Sequence, residues 1–159
     1  MTDPIEMPRE HAGVYVPPPL LYVVVFAAAM FVDRVKPLPL ARSTPLVVAG
    51  IAVIAAAFAL AAWSIGCFWR QGTSIVPIRA SKAFVVAGPY RFSRNPMYLS
   101  LLVAYIGASA IAASLWPLLL LPILVALVDV VVIGPEERYM ATRFGEQYNA
   151  YAARVRRWI

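Results

Sequence analysis

Uncharged residues fall into three long blocks separated by short polar segments, a pattern of membrane helices rather than of an amphipathic soluble fold. Leu46 to Trp69 is 24 residues rich in Ala, Val and Ile. As a helix it measures about 36 Å, more than the roughly 30 Å hydrocarbon layer, so the sequence predicts a spanning helix over 46–69. Val14 to Val32 also lacks charge, but Pro17, Pro18 and Pro19 interrupt its start, which restricts the helix to 19–34 and makes it a marginal span. Asn95 to Val128 runs for 34 residues without a charge, too long for one straight crossing, and therefore predicts a helical hairpin over 96–133. Ser114-Leu115-Trp116-Pro117 combines a helix-capping residue with a first-turn proline and sets the bend near Ala113 to Trp116. Glu136 to Ile159 places Met140, Phe144, Tyr148, Tyr151, Val155 and Trp158 on one helical face with basic residues on the rest, an amphipathic helix over 136–159 that Gly145 can split in two. The expected fold is an all-α integral membrane protein of about four transmembrane helices, forming a single domain.

Composition agrees: 62% of the 159 residues are hydrophobic and 14% charged, where soluble domains carry about 25% charged residues. One cysteine, Cys67, and one histidine, His11, exclude an internal disulfide and a His/Cys metal site, and leave no basis for Ser-His or Cys-His catalysis. The segment 1–13 is a polar tail without a signal-peptide core. Threading the chain through alternate sides puts eleven of the fourteen Lys and Arg on one side, which by the positive-inside rule makes both termini and the 70–95 connection cytoplasmic. The expected location is a cytoplasmic membrane of the bacterial inner-membrane type. Small residues at Gly107, Ala108, Ala110, Ala112 and Ala113 permit close helix packing, within the chain or between copies alike.

Two polar clusters reach the cytoplasmic side. The 70–95 connection holds Arg70, Arg79, Lys82, Arg91 and Arg94 and no acid, which suits anionic headgroups. At its end, Asn95 before Pro96 reads as the cap of the third helix, whose free amides can take an anion beside Arg91 or Arg94. Tyr90, Phe92 and Tyr98 there offer aromatic faces to a purine or a sulfonium cation, and equally suit an interfacial aromatic belt. In the second cluster Asp129, Glu136 and Glu137 share a helix face, with Pro135 expected to kink the axis. Asp129 is either a functional carboxylate or a boundary residue that is hydrated or paired with Arg70 or Lys82.

Taken together, Gly88-Pro89-Tyr90-Arg91-x-x-Arg94-Asn95-Pro96-Met97-Tyr98 and, about 38 residues on, Glu136-Glu137 followed by Phe144-Gly145, Tyr148, Tyr151, Val155 and Arg157-Trp158 resemble the isoprenylcysteine carboxyl methyltransferase and phospholipid methyltransferase superfamily. The resemblance spans roughly 70–159. It implies an integral-membrane methyltransferase that uses S-adenosylmethionine without a Rossmann domain, with a lipidic or small hydrophobic acceptor, membrane lipids as surroundings and no nucleic acid. It also implies cofactor binding by Gly88, Tyr90, Arg94, Asn95, Pro96, Tyr98, Glu136 and Glu137, and catalytic roles for Glu137, Tyr151, Arg154 and Arg157, with no metal. Asn95-Pro96 stands where the isoprenylcysteine enzymes have His-Pro and is similar to the phosphatidylethanolamine branch. A membrane reductase of the sterol-reductase type and a non-catalytic transport protein using Asp129 are the other classes the pattern admits.

Overall fold

The computed structural model describes residues 16–70 and 85–159. The polar tail 1–13 and the part of the basic connection carrying Arg79 and Lys82 lie outside the described residues. Among the described residues six α-helices follow in order: α1 (Pro18–Val35), α2 (Thr44–Arg70), α3 (Pro96–Ala112), α4 (Trp116–Val128), α5 (Gly134–Phe144) and α6 (Glu146–Ala152). No strand occurs among the described residues. A 3₁₀ turn, Gly88–Arg91, precedes α3, and a π turn, Asp129–Ile133, joins α4 to α5 so that Trp116–Phe144 is one helical run.

Among the described residues, three helical runs are long and apolar enough to cross a membrane: Pro18–Val35, Thr44–Arg70 and Trp116–Phe144. Helix α3 is apolar but has 17 residues, about 25 Å of rise. The large side chains of Val23, Phe31, Phe58, Trp63, Trp69, Ile123 and Val130 point out of the bundle, as a hydrocarbon solvent allows. Inside, Tyr22, Tyr105, Leu124, Val128, Val132 and Ile133 form the main buried cluster, with Phe26, Leu102 and Trp158 packed on it.

Helix α2 pairs with α3, and α1 with α4. The α2–α3 crossing is close because Gly50 faces Gly107. A Cβ on either would lie 2.8 Å from the other's carbonyl oxygen, so the small-residue stripe of α3 serves here for packing within the chain.

The hairpin bends where the capping pattern sets it. Ala113 takes the left-handed conformation (φ 52°) and ends α3. Ser114 then receives the Trp116 amide at 3.3 Å while its hydroxyl donates to Asp33 at 2.9 Å. The α1–α2 connection is stitched to this tip: the Leu40 amide donates to Ala113 (2.8 Å), the Leu115 amide to Leu38 (3.0 Å) and the Trp116 indole to Lys36 (2.7 Å). One end of the bundle is therefore held by main-chain bonds. The other end, where α3 begins and α4 runs into α5, carries the polar side chains.

Candidate active site

The motif segment reaches α3 through a turn fitted against α2. Gly88 has φ +60°, and a Cβ there would lie 2.7 Å from Cys67 Sγ and 2.9 Å from Trp63 Nε1. Only glycine meets both conditions without strain. Tyr90 follows, buried, its ring edge-on to Phe68 with centroids 5.4 Å apart and its carbonyl receiving the Tyr151 hydroxyl at 2.7 Å. Burial, then the nearby Cys67, Tyr151 and Glu136, push the Tyr90 phenol up. Phe92 and Arg91 point outward and do not join it.

Asn95 occupies the N-cap position of α3, but its side chain makes no capping bond. Its amide nitrogen instead donates to the Arg157 carbonyl at 3.1 Å. The Ser93 hydroxyl donates to that same carbonyl at 3.3 Å and receives the Asn95 amide at 3.1 Å, and the Arg94 amide donates to Arg156 at 2.9 Å. Ser93, Arg94 and Asn95 thus hold the main chain of the C-terminal tail. Pro96, fully buried, starts the helix. Ser93 was not singled out from the sequence, although a hydroxyl two residues before an Asn-Pro step is a recognisable turn-former.

The carboxylates come together because of the π turn. Pro135 offers no amide, and the widened turn, in which the Gly134 amide bonds to the Asp129 carbonyl, carries the helix past it. Glu136 Oε1 then receives the Tyr98 hydroxyl at 2.7 Å. Glu137 lies 3.2 Å from Arg94 Nη2 and takes two hydrogen bonds from the Arg157 guanidinium. Asp129 is paired neither with Arg70 nor, among the described residues, with any lysine. It faces Arg157 Nη1 at 3.6 Å and receives the Trp158 indole at 3.2 Å. The Glu137 carboxylate bonded to it keeps the Arg157 guanidinium firmly in its charged form.

The C-terminal segment departs from the single helix 136–159. Gly145 (φ 52°, ψ −127°) ends α5, and α6 stops at Ala152. Beyond the helix the Arg156 carbonyl is taken by the Arg94 amide and the Arg157 carbonyl by Ser93 and Asn95, and Trp158 is drawn onto the core. Tyr148 and Tyr151 on α6 are buried beneath the motif, and Tyr148 shares a hydrogen bond with Arg94. Burial pushes the Tyr148 phenol up and carries that of Tyr151 to about 12, so both are neutral donors near pH 7. Arg154 is not brought to the cluster: it is exposed and its Nε bonds to Ala150 within its own turn.

Arg94, Tyr98, Glu136, Glu137 and Arg157 thus share one end of the bundle, with Tyr90 and Tyr151 bonded to each other behind them. Arg94 Nε is buried and has no partner. Among the described residues no group of three His, Cys, Asp or Glu is arranged to hold a metal ion.

Comparison with known proteins bears on this geometry. The phospholipid methyltransferase family model matches residues 46–147, from α2 to the first residues of α6 and including the Gly88–Tyr98 segment and the Glu136-Glu137 pair. The chain belongs to the phospholipid methyltransferase family. It is therefore a membrane-embedded protein of a methyltransferase family, and the match ends before Tyr151, Arg154 and Arg157. The chain is also 34% identical, over 77 residues, to the cobalt-zinc-cadmium resistance protein CzcN of Cupriavidus metallidurans. That stretch is 48% of this chain and 35% of CzcN, so the chain matches about a third of that relative's length. No solved structure matches the chain.

Proposed function

We propose that the protein transfers a methyl group from S-adenosylmethionine to a lipidic or small hydrophobic acceptor at the cytoplasmic face of a membrane. What supports this is the donor set around Arg94. S-adenosylmethionine presents a carboxylate, an ammonium, ribose hydroxyls and a purine. Arg94, with its Nε buried and unpartnered beside Glu137, is suited to the carboxylate. Glu136 and Glu137 suit the ammonium and the hydroxyls, while the rings of Tyr90 and Tyr98 suit the purine or the sulfonium. Gly88 and Pro96 shape the turn, and Asn95 acts through the tail it holds.

When bound, the cofactor supplies an electrophilic methyl group on a positively charged sulfur. The protein's share is to hold a nucleophile in line with it and keep water away, so positioning contributes most of the rate. Glu137 can accept a proton from an amine acceptor once Arg157 or Arg94 shifts from it to the ligand. Arg157 is suited to orient an acidic acceptor. Tyr151, bonded to the Tyr90 carbonyl, is a positioning residue, and the exposed Arg154 is reserved for anionic headgroups.

In this scheme α3 is a fourth crossing, both termini are cytoplasmic and the membrane is of the bacterial inner type. The decisive experiment is calorimetric titration of S-adenosylhomocysteine into the protein in nanodiscs, with reduced nicotinamide dinucleotide phosphate as comparison. Saturable binding of the first alone is expected. Binding of neither by folded protein overturns the proposal, and binding of the second alone identifies a reductase.

A further inference from the structure

Of the two arginines on Glu137, Arg157 is the outer one. Its side chain is 38% exposed, against 17% for Arg94 and 17% for Glu137, so it covers the carboxylate from the open side. Its guanidinium engages both Glu137 oxygens: Nε donates to Oε1 at 3.2 Å and Nη2 donates to Oε2. Arg94 Nη2 meets Oε1 as well, at 3.2 Å. A cationic group on a ligand therefore reaches Glu137 only where Arg157, the accessible partner, gives way. A partly buried charge stripped of its partner is costly, so the guanidinium leaves only toward another anion.

That anion is in place. Arg157 Nη1 stands 3.6 Å from Asp129 Oδ2, just beyond hydrogen-bond length, and a shift of under about 1 Å closes the gap. The Asp129 side chain is 27% exposed, and its other oxygen receives the Trp158 indole at 3.2 Å. The main chain of the tail can stay where it is during such a shift. The Arg94 amide holds the Arg156 carbonyl, Ser93 and Asn95 hold that of Arg157, and Trp158 packs on the core. Only the Arg157 side chain has to turn, from the carboxylate on α5 to the one on the π turn. A zwitterionic ligand then leaves every charge paired: its ammonium on Glu137, its carboxylate on Arg94 and Arg157 on Asp129.

We propose that Asp129 is a positioning residue: it receives the Arg157 guanidinium when a ligand ammonium takes Glu137, and so lets the site open without an unpaired charge. The ligand's part in this exchange rests on the methyl-transfer function; the second position for Arg157 does not. Two double-mutant cycles test it, both built on Asp129→Asn, which keeps an oxygen for the Trp158 indole.

In the first cycle S-adenosylhomocysteine is titrated calorimetrically into the protein in nanodiscs. Asp129→Asn is expected to weaken binding about fivefold to tenfold, and by less than about twofold in the Arg157→Gln background, where no guanidinium has to be received. In the second cycle, thermal unfolding without ligand, Glu137→Gln should lower the melting temperature by about 2–4 °C more in the Asp129→Asn background than in the wild type. Equal losses in the two backgrounds overturn the second position, and an Asp129→Asn effect on affinity that persists without Arg157 overturns the exchange. Asp129→Asn should also keep the wild-type amide protection of residues 153–159. A released tail or an unfolded variant overturns the proposal, because Asp129 then acts by holding Trp158. Failure of the folded wild type to bind S-adenosylhomocysteine removes the methyl-transfer function and the ligand's part in the exchange, while the unfolding cycle still decides whether Asp129 takes Arg157.

Discussion

The side-chain amide of Asn95 donates a 3.1 Å hydrogen bond to the main-chain carbonyl of Arg157, 62 residues further along the chain. Through this bond the start of α3 determines where the C-terminal tail lies, and with it where the Arg157 guanidinium meets Glu137. Asn95→Ala should cost about 1 kcal/mol of stability, the net worth of one such bond. Its more specific effect is expected in the tail, where amide hydrogen exchange over residues 153–159 should speed up while that of α2 stays unchanged. Equal protection of the tail in both proteins would show that Ser93 and the Arg94 amide hold it unaided.

Glu136 and Glu137 have different partners and should respond differently to amidation. Glu136→Gln keeps an oxygen to receive the Tyr98 hydroxyl, so thermal stability is expected to change little while affinity for S-adenosylhomocysteine falls about tenfold or more. Glu137→Gln removes the charge shared by Arg94 and Arg157 and should lower both the melting temperature and the affinity. Calorimetry and thermal unfolding on the two single variants check this. Unchanged binding in both would remove the carboxylate pair from the cofactor site.

Glycine substitutions separate packing constraint from helix propensity. Gly88→Ala puts a methyl group against Cys67 and Trp63 at a positive φ and is expected to destabilise the protein by about 1–3 kcal/mol. Gly66→Ala meets nothing within 4 Å on α2 and should be neutral or stabilise by about 0.5–1 kcal/mol. Denaturant unfolding in mixed micelles measures both.

Alkaline titration reports on the buried tyrosine behind the site. Burial, with a smaller contribution from neighbouring Tyr148, raises the Tyr151 phenol from 10.0 to about 12, and Arg94 opposes the shift. The unfolded chain therefore releases this proton before the folded one does. The stability tied to the raised value is present below pH 10 and is lost as pH rises from 10 toward 12. Tyr151→Phe should flatten that alkaline loss of melting temperature and remove a late phase from the tyrosinate absorbance titration. A tyrosinate signal complete by pH 10.5 would count against the burial of this phenol.

Much of this architecture is legible one residue after another. A run of 24 uncharged residues allows nothing but a helix in a membrane, because only a helix satisfies its own amides there. A capping serine before a first-turn proline fixes the hairpin bend for equally local reasons. The motif residues of the site could be named for the same reason: a proline after Asn95 starts a helix, and paired acids at a helix exit are rare enough to notice.

What the sequence could not supply was long-range pairing. Periodicity gave the tail after Ala152 a helical face, but Arg94, Ser93 and Asn95 compete for its carbonyls, and bonds from 62 to 64 residues away outweigh local preference. For Asp129 the sequence offers Arg70 or Lys82, the basic residues at the neighbouring helix exit, whereas Arg157 and Trp158 reach it only after Gly145 redirects the chain. Local physics determined the helices, their ends and the identity of the charged residues. Only the tertiary structure decided which charge meets which, because partners distant in the chain become neighbours through packing alone.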